Sequence, residues 1–482
     1  MRRLRTIDYI TVNIYWLGLN FLTGSLTPII LPYLVGRFAP VQLVSLISMD
    51  KNTAYGLLRS AGLIVAMLIQ PLAGLFSDRS TSRWGRRRPF IFLGTILDLV
   101  FLTLVALSGN YWMLFIAVLF LQFSSNIAHG ALQGLIPDLV PQEQRGRASG
   151  VKGMMELLPM FLLWLLGIGV LVDRGRIWAA VLVVMIALFI GMLITMMVRE
   201  EPVRKKPEMA IKPRVARIVL LTLIFAVATS IFGGLVGFVG RLLMERGVLQ
   251  LVAVGLAGRV AMAGAIIVGV WLSARVGIGE GAHRHSSFVW WVVNRLLFFA
   301  AATSIQGFAQ YFLQDVLEVP NPAQASTLLM AVLGVFTFIA ALGGGFLADR
   351  FGRRRLLILT GIVAGAGTFL LVFSANLFMV YFSGFFIGVA GGVFVTTNWA
   401  LGTDLVPPEE AGRYLGISNW AGAGAGVVGS GIGGPLADFF NLSSPGLGYL
   451  VVFAIYGVCF LLSSATLLKV REPRGKRALV EG

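Results

Sequence analysis

What most limits the fold of this chain is its rhythm of apolar runs divided by short basic clusters. The hydrocarbon core of a bilayer is about 30 Å thick and takes about 20 residues of helix to cross. Runs of that length fall at residues 10–35, 54–76, 90–108, 111–136, 149–172, 177–198, 217–240, 248–274, 287–313, 324–347, 356–374, 377–402, 414–437 and 447–468. Backbone in lipid must satisfy its own hydrogen bonds, so each run is expected to be a helix. Composition agrees: of 482 residues 57% are hydrophobic and 13% charged, and the mean hydropathy is +0.85. A soluble chain of this size needs more polar surface. The expected class is an all-α integral membrane protein in a lipid bilayer.

The net charge of +17 would point to nucleic acid in a soluble protein. Here the Lys and Arg sit in short loops between apolar runs, the pattern of a positive cytoplasmic face, so no nucleic-acid partner is expected. The bias puts both termini in the cytoplasm of a multi-pass cell-membrane protein. "MRRLRTIDYI" (Met1–Ile10) reads as the start of a retained first helix, since the run after it is too long for a signal peptide. The runs at 217–240 and 248–274 form a hairpin that returns to its own side, so charge counting cannot test them. Arg259 falls near the middle of the second, where a charge costs about 2.5–3.5 kcal/mol on insertion scales.

Few residues offer covalent or metal chemistry. Cys459 is the single cysteine and lies in an apolar run, so there is no disulfide framework. His283 and His285 form an H-x-H in a polar loop and read as solvated; no metal or cofactor is expected. A zinc triad, a G-x-S-x-G elbow and a Walker loop are all missing from the sequence, so an enzyme is not expected.

The sequence repeats itself. "GLFSDRSTSRWGRRR" (Gly74–Arg88) parallels "GFLADRFGRRR" (Gly345–Arg355), and "DLVPQEQRGRASG" (Asp138–Gly150) parallels "DLVPPEEAGRYLG" (Asp404–Gly416). Two spans separate the motifs in each half. Six helices therefore occur twice in one orientation, as residues 1–200 and 287–482, with a charged linker and the extra hairpin at 201–286. In the loops, Gly74, Asp78, Arg79, Arg86 and Arg87 match Asp349, Arg350, Arg353 and Arg354 as a candidate cytoplasmic gate. Asp78 is expected to pair with Arg86 or Arg87, and Asp349 with Arg353 or Arg354, with either carboxylate able to face a helix N-terminus. Glu143 with Arg147 and Glu409 with Arg413 are candidates for the same gate. The competing reading is a plain positive anchor that binds anionic lipid.

Polar stripes cross several spans. Gln122, Asn126, His129 and Gln133 share one helical face, as do Asn13, Trp16, Asn20, Thr23 and Thr27, and also Arg295, Gln306 and Gln310. Polar side chains at membrane depth face a cavity or another helix, not lipid. Amides, an arginine and the rings of Trp16, Trp399 or Trp420 suit a polyhydroxylated ligand. Asn419, in the glycine-dense "GISNWAGAGAGVVGSGIGGPLAD" (Gly416–Asp438), has cavity lining and packing as equal readings.

The paired G-x-x-x-D-R loops resemble the signature of the major facilitator superfamily. "QPLAGLFSDRSTSRWGRRRPFI" (Gln70–Ile91), "GSLTPII" (Gly24–Ile30) and "SNIAHGALQGLIPDLVP" (Ser125–Pro141) resemble the sucrose/glycoside-pentoside-hexuronide:cation symporter group within it. The likeness is specific over residues 10–172 and generic over 285–470, and does not cover the hairpin at 217–274. It implies the major facilitator fold, two six-helix bundles in pseudo-twofold arrangement, and the hairpin read from the apolar runs departs from it (12 core + 2 helices). It also implies an aspartate and an arginine in the fourth helix, where this chain has Gln122 and Gln133. Proton coupling by that pair is therefore not expected here. Asp98, Glu156 and His129 remain as coupling candidates, with Arg59 or Arg295 as counter-charges and Lys152 as an i,i+4 partner for Glu156.

The expected function is secondary active transport of a neutral sugar or glycoside by alternating access, coupled to H+ or Na+, in a monomer. Proton-coupled efflux, an uncoupled facilitator and a non-transporting sensor or scaffold on the same fold stay open.

Overall fold

The computed structural model describes residues 5–44, 47–200, 212–247, 249–278, 286–406 and 411–471. In the first half, α1 runs from Thr6–Ser25 through a π-helical turn at Leu26–Ile30 into Leu31–Phe38. It is followed by α2 (Lys51–Asp78), α3 (Arg88–Ala106), α4 (Tyr111–Leu132, with a further turn at Leu135–Leu139), α5 (Arg145–Leu165) and α6 (Ile177–Met196). Helices α7 (Lys212–Glu245) and α8 (Gln250–Ile278) make the extra hairpin. The second half holds α9 (Ser286–Asp315), α10 (Pro322–Phe351), α11 (Arg353–Val372), α12 (Leu377–Asp404), α13 (Ala411–Ser443) and α14 (Leu447–Thr466).

Among the described residues, 13 helices are long and apolar enough to cross a membrane. Helix α13, with 33 residues, is a further long one, so each apolar run of the sequence has its helix. The doubtful run is one of them. Arg259 lies on an exposed face of α8, about 13 Å along the helix from Gln250. From there its long side chain can reach towards the membrane surface instead of interrupting the helix. One element was not foreseen: β1 (Val41–Val44) pairs antiparallel with β2 (Ile47–Met49) in the α1–α2 connection, with Val41 opposite Met49.

The halves repeat in detail. Helix α4 starts where the Asn110 side chain accepts the Met113 N–H at 2.9 Å. Helix α12, its counterpart, starts where Asn376 accepts the Met379 N–H at 3.0 Å. Each is an N-cap that satisfies a donor with no partner inside the helix. Across the seam, α2 packs on α13 and α5 packs on α10. The glycines of α13 permit the first contact: a Cβ at Gly434 would lie 2.3 Å from the Asn52 carbonyl oxygen. The hairpin lies mainly against α13, with lesser contacts to α9 and α2.

The π-helical turn in α1 has a chemical cause. Pro32 has no N–H to give, so carbonyls one turn before it lose their helical donor. Two other helices supply one. Tyr55 Oη donates to the Thr27 carbonyl at 2.7 Å. The Gln310 amide, its nitrogen turned to α1, donates to the Pro28 and Ile29 carbonyls at 3.0 Å each.

Candidate functional site: a cavity between the two halves

The arginine loops form a compact cluster inside each half. Arg87, 5% exposed, pairs with Asp78, and its Nε donates to Asp138 Oδ2 at 2.8 Å. A further nitrogen, Nη1, donates to Ser77 Oγ at 2.5 Å. Arg86 grips Asp138 with two nitrogens, Nε at 3.0 Å. Glu200 accepts the backbone N–H groups of Arg87 at 2.9 Å and Arg88 at 3.2 Å, capping α3. Arg79 is half-buried at the end of α2, and Gly74 faces the Gly130 carbonyl one helix away.

In the second half Arg353 pairs with Asp404 and reaches Asp349 at 3.9 Å. Asp349 is largely exposed, and Arg350 is exposed beside the Phe351 ring. Arg354 donates to the Leu467 carbonyl at 2.8 Å. The acids that anchor these clusters are therefore Asp138 and Asp404 as much as Asp78 and Asp349. Glu143 and Arg147 are exposed; Glu409 and the Arg413 side chain lie outside the described residues.

None of these ion pairs crosses between the halves. The bonds that do cross, among the described residues, lie at the other end or near mid-membrane. Lys51 pairs with Asp315 at 2.6 Å, and Tyr311 Oη donates to the Pro32 carbonyl at 2.9 Å. Asp438 accepts from the Thr53 N–H at 2.6 Å, and Asp173 from the Gln324 N–H at 2.8 Å. The most central are Arg59 Nη1 to the Thr303 carbonyl at 2.8 Å and Ser60 Oγ to the Val427 carbonyl at 3.1 Å. Among the described residues, the halves are thus clasped at the end away from the arginines and unclasped at the arginine end.

Between them lies a cavity of about 560 Å³. Of the expected site residues, Trp16, Asn20, Gln122, Asn126, His129, Gln133, Glu156 and Gln306 line it, together with Thr23 and Thr27. Trp16 meets His129 edge-on, ring centres 5.2 Å apart, and holds the Lys152 ammonium 4.1 Å from its ring centre. Lys152 pairs with Glu156 at 3.1 Å. Several amides also bond their own helix, as Asn126 does to the Gln122 carbonyl at 2.7 Å, and so keep fixed rotamers towards the cavity.

Four expected polar residues, and the expected Trp399 ring, do not line it. Asn13 is fully buried, donating to the Tyr9 and Ala148 carbonyls at 2.9 and 3.2 Å, and so joins α1 to α5. Gln310 serves the π-helical turn of α1. Arg295 donates to Asn398 Oδ1 at 3.0 Å, beside the rings of Phe299 and Trp399, about 12 Å along α9 from Thr303. Asp98 is sealed between α3 and α4, accepting a hydrogen bond from Ser124, with its second oxygen unpartnered. The side chains of Asn419 and Trp420, and the loop with His283 and His285, lie outside the described residues. A periodic polar face tells that a residue avoids lipid, but not whether it meets a cavity or a neighbouring helix.

Arg59 was visible in the sequence only as a counter-charge, and Lys152 only as a partner for Glu156; both line the cavity. Asp173 and Asp438 were missed. Their signal was the repeat itself, "VLVD" (Val170–Asp173) against "PLAD" (Pro435–Asp438), at the same place in each half. Among the described residues no group of three or more His, Cys, Asp or Glu could hold a metal.

The profile of the Major Facilitator Superfamily matches residues 17–305 and 293–481, and the chain belongs to that family. A sucrose transport protein of Oryza sativa subsp. japonica is 31% identical over 112 residues, 19% of this chain and 21% of that protein. The multidrug resistance protein MdtH of Salmonella arizonae is 28% identical over 171 residues, 34% of this chain and 42% of MdtH. The chain therefore spans about a fifth and about two fifths of these relatives. The xylose transporter XylE of E. coli, in a partially occluded inward-open conformation, shares the fold: TM-score 0.63 at 16% identity, over 98% of both chains.

Proposed function

We propose that this major facilitator protein is a secondary active transporter that moves a sugar or glycoside by alternating access. The observation that supports this most directly is the cavity between the halves. Amide and hydroxyl groups from α1, α4 and α9 line it together with the Trp16 ring, so a ligand with many hydroxyls finds donors, acceptors and a flat apolar face in one cavity. The positive-inside bias assigns the arginine end, and both termini, to the cytoplasm of a cell membrane. The state described is then inward-facing.

Coupling to H+ or Na+ belongs to the same reading. Asp98 does not line the cavity, and Gln122 and Gln133 cannot titrate. Glu156 is a carboxylate that does line it, paired with Lys152. A cation or proton that takes Glu156 releases Lys152, and a bound substrate can use both. The protein is read as a monomer with no cofactor.

Uptake of labelled sugars into proteoliposomes, with and without a pH or Na+ gradient, tests the proposal. Gradient-driven accumulation of at least one sugar is expected. Flux indifferent to both gradients would mean facilitated diffusion, and export of unrelated amphipathic compounds would move the protein to the efflux class that MdtH represents.

A further inference from the structure

Among the described residues, the cavity wall has one cation that no acid neutralises. Arg59, on α2, lies at membrane depth, where an unpaired charge is costly. Among the described residues no carboxylate lies within ion-pair distance of it, and Glu156, the acid lining the same cavity, is engaged by Lys152. Apart from His129, the charged lining is Arg59 and Lys152 against Glu156, an excess of one positive charge. The carbonyl of Thr303 takes one N–H of Arg59 at 2.8 Å. A carbonyl can satisfy a donor but cannot cancel a charge, and a guanidinium has five N–H groups in a fork.

The opposite half leaves a slot for this side chain. A Cβ at Gly307 on α9 would lie 2.3 Å from Arg59 Nη1 and 2.9 Å from Tyr55 Oη. Any larger residue at 307 would push the guanidinium away from the seam. The slot holds the arginine where α2 and α9 line the cavity, with Gln306 in the same wall.

We propose that the substrate bears an anionic oxygen group, a carboxylate or a phosphate, and that Arg59 binds it. This rests on the transporter reading above and replaces the neutral sugar expected from the sequence with an acidic one. Arg59 then has two alternating partners. Without substrate its fork is held against the Thr303 carbonyl. With substrate it forms a bidentate pair with the anion in a low-dielectric cavity, where such pairs are strong and geometrically selective. The hydroxyls of the same ligand fall to the amides of α4 and α9.

The test is binding to the purified full chain in nanodiscs, read as a shift in thermal unfolding and as change in tryptophan fluorescence. The probes are matched pairs: glucose with glucuronate, galactose with galacturonate, glucose with glucose 6-phosphate. Succinate and inorganic phosphate are the non-sugar anions. At least one anionic probe is expected to bind about tenfold or more tightly than its neutral mate. Arg59→Gln, which keeps a donor for Thr303, should lose that preference; Arg59→Lys should keep part of it, and Gly307→Ala should weaken it with the charge intact.

Equal binding of neutral and acidic partners, no binding of any anionic probe, or an unchanged preference in Arg59→Gln would each overturn the proposal. Binding of neutral sugars alone would sink the anion and leave the sugar transporter standing. Binding of succinate or phosphate with no sugar acid would keep Arg59 in its role and sink the sugar.

Discussion

Asp173 and Asp438 stand in pseudo-twofold-related positions, each closing on the N-terminus of a helix in the opposite half. Asp438, on α13, accepts the Thr53 N–H at 2.6 Å and the Asn52 side chain at 2.7 Å, at the start of α2. Asp173, between α5 and α6, accepts the N–H groups of Ala323 at 3.1 Å and Gln324 at 2.8 Å, at the start of α10. Helix N-termini present unpaired N–H groups and the positive end of the helix dipole, so a carboxylate there is both a cap and a counter-charge. In most proteins such a cap comes from the same segment as the helix. Here it comes from the other half, so the bond must break whenever that end opens.

Removing the clasps should therefore shift the balance of states. Loss of an N-cap costs about 0.5–2 kcal/mol, so Asp438→Ala or Asp173→Ala is expected to favour opening at that end by about twofold to thirtyfold. A cysteine placed at Thr27, which lines the cavity, reports it: labelling by an impermeant thiol reagent from the side away from the arginines should speed up. An unchanged rate in the double alanine variant would show that the clasps do not bear on the equilibrium.

Asp173 adds a pH dependence of definite sign. Burial pushes its carboxyl above the ordinary value of 3.8, against the pull of the Gln324 and Ala323 N–H bonds. The clasped form thus holds its proton more tightly than an exposed carboxyl would, so acidification through that raised range favours the clasped form. Asp173→Asn imitates the protonated acid and should stay clasped, with labelling at Thr27→Cys slow and less dependent on pH. Faster labelling of the wild type as the pH falls through that range would contradict this.

The arginine clusters lead to a stability prediction. Arg87 is buried and serves Asp78, Asp138 and Ser77 at once, whereas Arg86 is partly exposed and, among the described residues, pairs with Asp138. Breaking a buried pair by removing one partner costs about 3–5 kcal/mol, while a more exposed pair costs about 1 or less. Arg87→Ala should lower the unfolding temperature several times as much as Arg86→Ala. Equal losses would mean that the cluster acts as a simple sum of surface charges.

The sequence made the architecture readable because membrane depth leaves one choice: twenty apolar residues must be helix, and a repeated loop motif must mean a repeated half. The cavity face of α4 was readable for the same reason, since Gln122, Asn126, His129 and Gln133 fall on one side at helical spacing. What could not be read was depth around the helix bundle. Asn13 and Gln310 follow the same periodicity as Trp16 and Gln306, and Asp98 is a lone mid-helix acid, yet they meet Ala148, the turn at Pro28 and Ser124. Those partners are 135, 282 and 26 residues away in the chain, beyond what local spacing can report. The clasps were hidden for a different reason: a single aspartate at a helix end has no pattern until its partner half is in place.

The coupling candidates can now be separated. Glu156 lines the cavity and pairs with Lys152 at 3.1 Å, while Asp98 is fully buried against Ser124. If a cation must reach its site from the cavity, Glu156→Gln should abolish gradient-driven accumulation while leaving exchange of substrate across the membrane. Lys152→Gln alone leaves Glu156 unpaired and should weaken substrate binding as well as coupling. The double variant restores neutrality and should recover exchange but not accumulation. Asp98→Asn keeps the bond to Ser124, so accumulation should persist. Proteoliposome uptake with a pH or Na+ gradient, compared with counterflow in its absence, separates these outcomes. Loss of accumulation in Asp98→Asn together with its retention in Glu156→Gln would reverse the assignment and place the coupling site in the interior of the first half.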